Sequence, residues 1–341
     1  MEWVEKLMEG TPRQTYASTF PPNQFYCLLD ELPLHLIPRR ELAALRDDPP
    51  ARPLVLNSGC ILCRSGVLPS ALSSPEELFA RFALQGSVAW VPSASGSLLP
   101  FWLGPRLDAF VQSLREGEPV FPMVEWERVD WDLCQPLLMA GILVVADRAA
   151  ERSSGVGTTL AKSAQLFRTG GYAPLGGLIH PFHIAALRRY YRYLIRTGAV
   201  PLGDGQSARR YVAYNDPVAR FFHRQICATL SAVAGEELKP SYVYLASYRS
   251  GAELKKHTDR EQCEYSVTFC LDFSPEPQLE TPWPIRLDTP AGTTTVYQSI
   301  GDGLAYRGTR LPHYRDALGI GQTSTSIFFH YVPADFSGSL D

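Results

Sequence analysis

Residues 254–274 read LKKHTDREQCEYSVTFCLDFS, and this stretch decides how the second half of the chain is interpreted. His257 and Asp259 stand one residue apart, directly before a run of β-branched and aromatic residues that favours a strand. Because side chains at positions i and i+2 of a strand project to the same side, the two residues could bind one metal ion together. His-x-Asp triplets are common, so the metal-site hypothesis depends on a third ligand elsewhere in the chain.

The sequence around this stretch predicts short strands separated by turn residues, each rich in Tyr, Val, Thr or Phe. The predicted strands are 241–249, 254–259, 265–273, 283–289, 293–299, 303–308, 313–318 and 323–332. Two amphipathic helices are predicted before them, at 180–198 and 216–236, the second with Asp216 as its N-cap and Gly235 near its end. Regular short strands after a pair of helices are typical of a β-sandwich or barrel that the helices support.

Two histidines follow Asp259 in the chain and could supply the third ligand. His313 begins a predicted strand after a turn, and the chain between it and His257 has room for about four to five short strands. His330 lies in the middle of the last predicted strand, where a half-buried structural histidine is the ordinary interpretation. The sequence therefore favours His257, Asp259 and His313. Two histidines and one carboxylate on one face are the ligand set of a mononuclear non-haem iron centre, whose opposite face stays open.

At this point the sequence resembles a known family, the Fe(II)/2-oxoglutarate-dependent oxygenases, and in particular their prolyl-hydroxylase-like branch. The resemblance runs from YVYLASYRSGAELKKHTDREQCEYSVTFCLDF to GDGLAYRGTRLPHYRDALGIGQTSTSIFFHYV, within residues 178–335. In that family a Tyr, a Gly and then His-x-Asp follow one another, and here Tyr248, Gly251, His257 and Asp259 stand in that order. The resemblance implies a double-stranded β-helix, and a Tyr248 that contacts 2-oxoglutarate.

The resemblance also implies the chemistry. The metal would be Fe(II), bound by His257, Asp259 and His313, with 2-oxoglutarate and O₂ as co-substrates. The expected reaction is a dioxygenase reaction: a C–H bond of a peptide, protein or small-molecule substrate is hydroxylated while 2-oxoglutarate is oxidatively decarboxylated to succinate and CO₂. Nothing in the sequence indicates which substrate this is, or an oligomeric state.

One position departs from the family pattern. Shortly after the distal histidine the family carries an Arg or Lys that binds the far carboxylate of 2-oxoglutarate, whereas this chain has Gln322 and Thr323. A buried carboxylate without a cation is costly, so another basic residue is expected to serve. Arg315 is the first choice, because it is two residues after His313 on the same predicted strand. Arg286, on the predicted strand 283–289, is the second.

Two other interpretations stay open. The first is a cupin-like metal enzyme that does not use 2-oxoglutarate, and the uncharged residues at 322–323 are its main support. The second is a metal-free barrel that serves as a binding or scaffold module, and the complete set of three ligands speaks against it.

The first half of the chain gives weaker signals. Residues 1–150 are predicted to form a mixed α/β domain for substrate or partner recognition, with a winged-helix-like ending in which a helix within 130–147 stops at Gly141 and a short strand follows. Residues 151–176 are rich in Gly, Ser and Thr and are predicted to be a linker or mobile loop. Residues 177–341 are predicted to be the oxygenase domain, so the fold class is α+β. Two further helices are predicted at 74–85 and 105–117.

The composition excludes several classes of protein. The 341 residues are 45% hydrophobic and 20% charged, as in an ordinary globular protein. A formal net charge of −3 gives no basic excess for binding nucleic acid. No run of about 18 apolar residues predicts a membrane span. The first ten residues, MEWVEKLMEG, lack a basic segment followed by an apolar run, so no secretory signal is expected.

The seven cysteines are an odd number spread along the chain, which favours reduced thiols in the cytoplasm over a disulfide framework. Cys60 and Cys63 form one Cys-x-x-Cys pair, but a structural zinc site needs two more ligands nearby. Free thiols are therefore the favoured interpretation of this pair.

Overall fold

The computed structural model describes residues 28–31, 36–37, 53–63, 87–92, 98–114, 120, 131–145 and 149–340. The described residues fall into two compact units. The larger unit contains 161–180 and 187–340, and the smaller unit contains 181–186 and the described residues before 161. Within the described residues, no helix combines the length and the apolar character that crossing a membrane requires.

The smaller unit has two small antiparallel sheets and two helices. Its elements are β1 (Leu54–Leu56), β2 (Ile61–Cys63), β3 (Ser87–Pro92), β4 (Leu98–Leu103), α1 (Pro105–Ser113), α2 (Trp131–Ala140) and β5 (Leu143–Val145). Strands β2, β3 and β4 form one sheet in that order, and β1 pairs with β5. The structure confirms the predicted helix at 105–117 over α1, and the predicted helix, Gly141 stop (φ +75°) and short strand over α2 and β5. The predicted helix at 74–85 lies outside the described residues, and the winged-helix-like ending stays a prediction.

Residues 151–176, predicted to be a linker or mobile loop, form most of a helix and a strand instead. Residues Ala149–Gly170 form α3, and Tyr172–Leu175 form β6. Composition was misleading here because a few apolar side chains suffice to hold a polar helix: Phe167 is fully buried and stacks on Tyr265 with ring centroids 6.0 Å apart. The helix ends where Gly171 adopts φ +74°.

The rest of the larger unit follows the predicted series of strands closely. Its elements are α4 (Pro181–Arg196, whose first turns belong to the smaller unit), β7 (Arg210–Tyr214), α5 (Pro217–Ala234), β8 (Leu238–Arg249), β9 (Leu254–His257), β10 (Tyr265–Ser274), β11 (Ile285–Thr289), β12 (Gly292–Val296), β13 (Gly303–Arg307), β14 (His313–Arg315) and β15 (Thr323–Pro333). Both predicted helices and all eight predicted strands are confirmed. Strands β6 and β7 were not predicted.

These strands form two antiparallel sheets. The first has six strands in the order β6-β13-β10-β15-β8-β7, and the second has four in the order β12-β11-β14-β9. The sheets pack face to face, since side chains of the four-stranded sheet share one hydrophobic cluster with side chains of β13. This cluster contains Ile285, Leu287, Leu304, Tyr306 and Leu311. Below, the inner face is the face of the six-stranded sheet that is turned toward the four-stranded sheet, and the outer face is the opposite one.

Helix α5 covers the outer face of the six-stranded sheet. The Asp216 carboxylate begins the helix by accepting hydrogen bonds from the backbone N–H groups of Val218 and Ala219. On the buried side of the helix, the His223 ring packs edge-on against Tyr331 of β15, with centroids 4.5 Å apart. The helix thereby fixes β15, the strand that lies in the middle of the sheet.

Candidate metal centre

The structure brings the three predicted ligands together. His257 ends β9 and His313 begins β14, and the two residues lie directly opposite each other in the ladder between these strands. Asp259 follows β9, and its Oδ1 lies 3.6 Å from His257 Nε2 and 3.5 Å from His313 Nε2. One potential ligand atom from each side chain lies within 4.8 Å of the others. The three residues form what is called the trio below.

Backbone carbonyl groups fix the orientation of both imidazoles. His257 Nδ1 lies 2.7 Å from the Lys255 carbonyl oxygen, and His313 Nδ1 lies 3.0 Å from the Leu311 carbonyl oxygen. Because a carbonyl oxygen only accepts, each Nδ1 carries the hydrogen and donates it, which leaves the Nε2 lone pairs directed toward Asp259. Metal-ligating histidines use this arrangement, since the second hydrogen bond fixes the tautomer and the ring.

The trio is buried on one side and open on the other. His313 is 2% exposed, and burial lowers the pKa of its imidazole, which keeps the ring neutral and able to donate its lone pair. The side chain of His257 is 33% exposed, and that of Asp259 is 12% exposed. A metal ion held there would have protein behind it and an accessible side in front.

The donor set fits Fe(II). Two imidazole nitrogens and one carboxylate oxygen on one face form the facial triad of non-haem iron sites, and such a site leaves positions for other ligands. Among the described residues a second group could be considered, which contains Asp259, Cys263 and His330. However, burial raises the pKa of Cys263 to about 12, and its Sγ lies 3.0 Å from the Tyr242 hydroxyl. Cys263 is therefore a protonated thiol with a partner rather than a thiolate ligand.

The Cys60–Cys63 pair gains no further ligand among the described residues. Burial raises the pKa of the Cys60 thiol to about 12 and also raises that of Cys63. Six of the seven cysteines are described, and all six are free thiols.

Arg315 lies on the same side of β14 as His313, and its surroundings are unusual for a buried cation. The residue is 5% exposed, and burial lowers its pKa. Its Nη1 donates to the Trp283 carbonyl oxygen at 2.5 Å, and its Nη2 donates to Gln298 Oε1 at 3.0 Å. The guanidinium carbon lies 4.8 Å from the centroid of the Trp283 ring. Among the described residues, no carboxylate forms an ion pair with Arg315, so its charge is held by neutral groups alone.

Arg286 takes the opposite side of the four-stranded sheet. In the register between β11 and β14, Leu287 pairs with His313, whereas Arg286 pairs with Tyr314. Because successive side chains of a strand alternate, Arg286 points away from the side that carries the trio. Its Nη2 forms an ion pair of 2.7 Å with Asp316, and its side chain is 39% exposed.

Tyr248 lies on the inner face of β8, near Arg315 of the facing sheet. The Trp283 ring connects the two residues, since its centroid lies 5.0 Å from that of Tyr248 and Arg315 lies over its face. The Tyr248 hydroxyl already accepts a hydrogen bond of 3.2 Å from Arg210 Nη1. Tyr248 therefore lines this part of the inner face, but its hydroxyl has a partner.

One row of the inner face, between the row of Phe328 and Tyr244 and the row of Tyr248, consists of small side chains. In the strand register Cys270 pairs with Ser326, which pairs with Ala246 across β10, β15 and β8. Side chains of this size leave space in front of this row of the sheet.

The sequence did not indicate three residues that contact this constellation. Gln298 fixes Arg315, Ser266 donates to the second oxygen of Asp259 at 2.9 Å, and His330 contacts Ser266. Each contact joins residues from different strands, so no local pattern marks them. The only signal was strand alternation, which places Ser266 on one face with other residues of β10.

No protein-family model matches the chain, and no curated protein matches it. Solved structures that resemble it include the non-haem alpha-ketoglutarate-dependent epimerase SnoN from nogalamycin biosynthesis, with a TM-score of 0.44 and 14% identity over 52% of this chain and 84% of that one. A Pseudomonas putida prolyl-4-hydroxylase resembles it with a TM-score of 0.43 and 16% identity, over 51% of this chain and 99% of that one. HygX from Streptomyces hygroscopicus, solved with nickel, 2-oxoglutarate and hygromycin B, resembles it with a TM-score of 0.42 and 13% identity, over 51% of this chain and 88% of that one. At these identities and TM-scores the likenesses carry no weight on function.

Proposed function

We propose that the chain is an Fe(II)- and 2-oxoglutarate-dependent oxygenase that hydroxylates an unactivated C–H bond of a peptide, protein or small molecule. Its larger unit would then be the double-stranded β-helix domain, and its first 150 residues would recognise the substrate or a partner. The observation that carries the proposal is the pairing of a complete facial trio with a buried, uncompensated arginine on the same side of one strand, at His313 and Arg315.

The trio supports metal binding through its geometry. His257 and His313 would bind Fe(II) through Nε2, and Asp259 through Oδ1, since these are the atoms that face one another. The two backbone carbonyl groups that accept from Nδ1 hold the rings ready, so little reorganisation is needed when the metal enters. When bound, iron and 2-oxoglutarate supply the oxidative decarboxylation and the attack on the substrate C–H bond.

Arg315 supports 2-oxoglutarate as the co-substrate. A buried guanidinium surrounded by neutral acceptors gains much from an anion, because a carboxylate replaces weak neutral contacts by charge-assisted hydrogen bonds. Gln298 and Trp283 hold the guanidinium in place. The small side chains of Ala246, Ser326 and Cys270 would leave room in front of their row of the sheet for part of the co-substrate.

The cupin-like alternative rested on the uncharged residues at 322–323. Arg315 offers the missing cation from another strand, so the reason for preferring that alternative is weakened. Arg286 stays a second choice for the anchor, although its Nη2 already pairs with Asp316.

The proposal is tested by anaerobic titration with Fe(II) and 2-oxoglutarate, in the wild type and in Arg315→Ala. We expect a weak visible charge-transfer band in the wild type that is lost in the variant at the same concentrations, and succinate after O₂ is admitted. Iron bound without a band and without succinate would overturn the 2-oxoglutarate assignment and favour the cupin-like enzyme. Absence of bound iron would favour the scaffold module instead.

A further inference from the structure

The two oxygens of Asp259 have different surroundings. Oδ1 faces the two Nε2 atoms of the trio at 3.5 and 3.6 Å. Oδ2 points the other way and accepts a hydrogen bond of 2.9 Å from the hydroxyl of Ser266, a residue of β10 that is fully buried. The carboxylate is therefore oriented by a group that would not touch the metal.

Ser266 is itself held by His330. Its Oγ lies 2.9 Å from His330 Nδ1, and His330 is 2% exposed. A hydroxyl has one hydrogen, and its two possible acceptors are Asp259 Oδ2 at 2.9 Å and the Cys263 carbonyl oxygen at 3.3 Å. The nearer and charged carboxylate is the main acceptor, and Ser266 accepts from the Nδ1–H of His330. Burial lowers the pKa of His330 to about 4, which agrees with a neutral ring. Its Nε2 has no hydrogen-bond partner among the described residues, so Ser266 is the polar contact of this side chain.

The ring of His330 is fixed by aromatic neighbours. Its centroid lies 4.7 Å from that of Tyr242 and 5.6 Å from that of Tyr244, both on β8. The position of His330 opposite Ser266 follows from the pairing of β10 with β15 in the middle of the sheet. The hydrogen-bond chain from His330 through Ser266 to Asp259 therefore begins on the two central strands of the six-stranded sheet.

Gly308 closes the remaining space around Oδ2. A Cβ atom at Gly308 would overlap Asp259 Oδ2 and the carbonyl oxygen of Cys263. The carbonyl oxygen of Gly308 also accepts a hydrogen bond of 2.9 Å from the Asp259 backbone N–H. Gly308 thus holds the backbone of Asp259. The hydrogen bond from Ser266 to Oδ2 restricts the rotation of the carboxylate.

We propose that Ser266 and His330 are positioning residues that hold Oδ2 of Asp259 away from the metal, so that Asp259 binds it through Oδ1 alone. This inference rests on the metal site of the proposed function, but not on 2-oxoglutarate. Its consequence is that one coordination position, which a bidentate carboxylate would occupy, stays available. Loss of either residue frees the carboxylate to rotate and changes both the affinity and the number of ligands.

The test is Co(II) titration of the metal-free protein, followed by the visible bands whose intensity depends on the number of ligands. We expect Ser266→Ala and His330→Phe each to weaken Co(II) binding by about 10- to 100-fold and to change the band intensity. His330→Asn is the matched control, because its side-chain amide keeps a donor near the position of Nδ1, and it should bind Co(II) within about threefold of the wild type. His330→Phe keeps a flat ring for the contacts with Tyr242 and Tyr244.

The double variant separates positioning from general loss of structure. Because His330 acts through Ser266, Ser266→Ala combined with His330→Phe should weaken Co(II) binding no more than Ser266→Ala alone, whereas independent structural damage would add. The thermal midpoint of each metal-free variant reports folding. Wild-type affinity and spectra in folded Ser266→Ala, or additive losses in the double variant, would overturn the inference. A wild type that binds no Co(II) would overturn the metal site itself.

Discussion

The trio and Arg315 lie on the same side of the four-stranded sheet, but their polar groups are held in different ways. At the trio, each spare polar atom already has a partner: the Nδ1 atoms donate to backbone carbonyl groups and Asp259 Oδ2 accepts from Ser266. Arg315, by contrast, donates to a carbonyl oxygen and an amide oxygen, and no described carboxylate pairs with it. Under the proposed function, the trio would bind a metal ion and the arginine would bind an anion.

The difference teaches that the trio and Arg315 draw their partners from different parts of the chain. The ligand atoms of the trio come from two neighbouring strands and the residues just after one of them. The partners of Arg315 come from Trp283 before β11 and from Gln298 after β12, and the amide of Gln298 in turn donates to the Thr268 carbonyl oxygen of β10. Under the proposed function, the anion anchor would lie on the same strand as one metal ligand, His313.

The largest effect is expected at the trio. Asp259→Ala removes the only anionic ligand, so we expect Fe(II) affinity to fall by well over about 100-fold, more than the loss of an outer-sphere partner causes. Asp288→Ala is the control, because Asp288 pairs with Lys256 at the surface and touches none of the three ligands. Equilibrium dialysis with Fe(II) under argon measures both, and equal affinities would contradict the assignment.

At the arginine end, Arg315→Met keeps the apolar length of the side chain and removes the charge. We expect the Kd for 2-oxoglutarate to rise by about 100-fold, which corresponds to a lost charge-assisted contact. Arg286→Met is the matched control, and since Arg286 is in an exposed ion pair its effect should stay within about fivefold. Titration calorimetry with the metal-loaded protein compares them. A larger effect at Arg286 would exchange the two roles.

We expect His223 of α5, on the outer face of the six-stranded sheet, to make the folded protein sensitive to acid. His223 Nε2 donates to the His330 backbone carbonyl at 2.7 Å, and burial lowers the pKa of His223 to about 3 from an ordinary 6.5. The unfolded chain therefore takes up a proton first. The stability that His223 contributes is complete above pH 6.5 and is lost as the pH falls toward 3, by at most about tenfold in the folding equilibrium for each pH unit.

His223→Gln tests this, because its amide can keep the hydrogen bond and cannot titrate in this range. Urea midpoints at pH 7 and pH 5 should differ less for the variant than for the wild type. Parallel pH profiles for the two proteins would show that His223 does not carry the acid sensitivity.

The smallest effect is expected for Tyr248→Phe. The resemblance to oxygenases assigns Tyr248 to 2-oxoglutarate, but its hydroxyl already accepts from Arg210. Because the hydroxyl already has this partner, we expect it to contribute little to the co-substrate, so the Kd for 2-oxoglutarate should change by about fivefold or less, which is about 1 kcal/mol. Calorimetry on this variant sharpens the comparison, since a change as large as that of Arg315→Met would place the hydroxyl on the co-substrate.

Local patterns were sufficient for most of the larger unit. The eight strands after Pro240 were predictable because alternating β-branched and aromatic residues favour strands, and because turn residues separate them. Helix α5 was predictable from Asp216 and Gly235, which satisfy its first N–H groups and its last turn. The helix α3 was not, because its polar composition conceals the buried side of Phe167.

The sequence by itself determined the strands and the set of three potential metal ligands, because strand alternation and the order of the histidines are local properties of the chain. Only the tertiary structure decided that Trp283 and Gln298 hold Arg315, that Arg286 pairs with Asp316, and that Ser266 and His330 hold Asp259. The physical reason is that these contacts depend on the register between strands that are distant in sequence, and a shift of one residue would turn every one of these side chains to the other face.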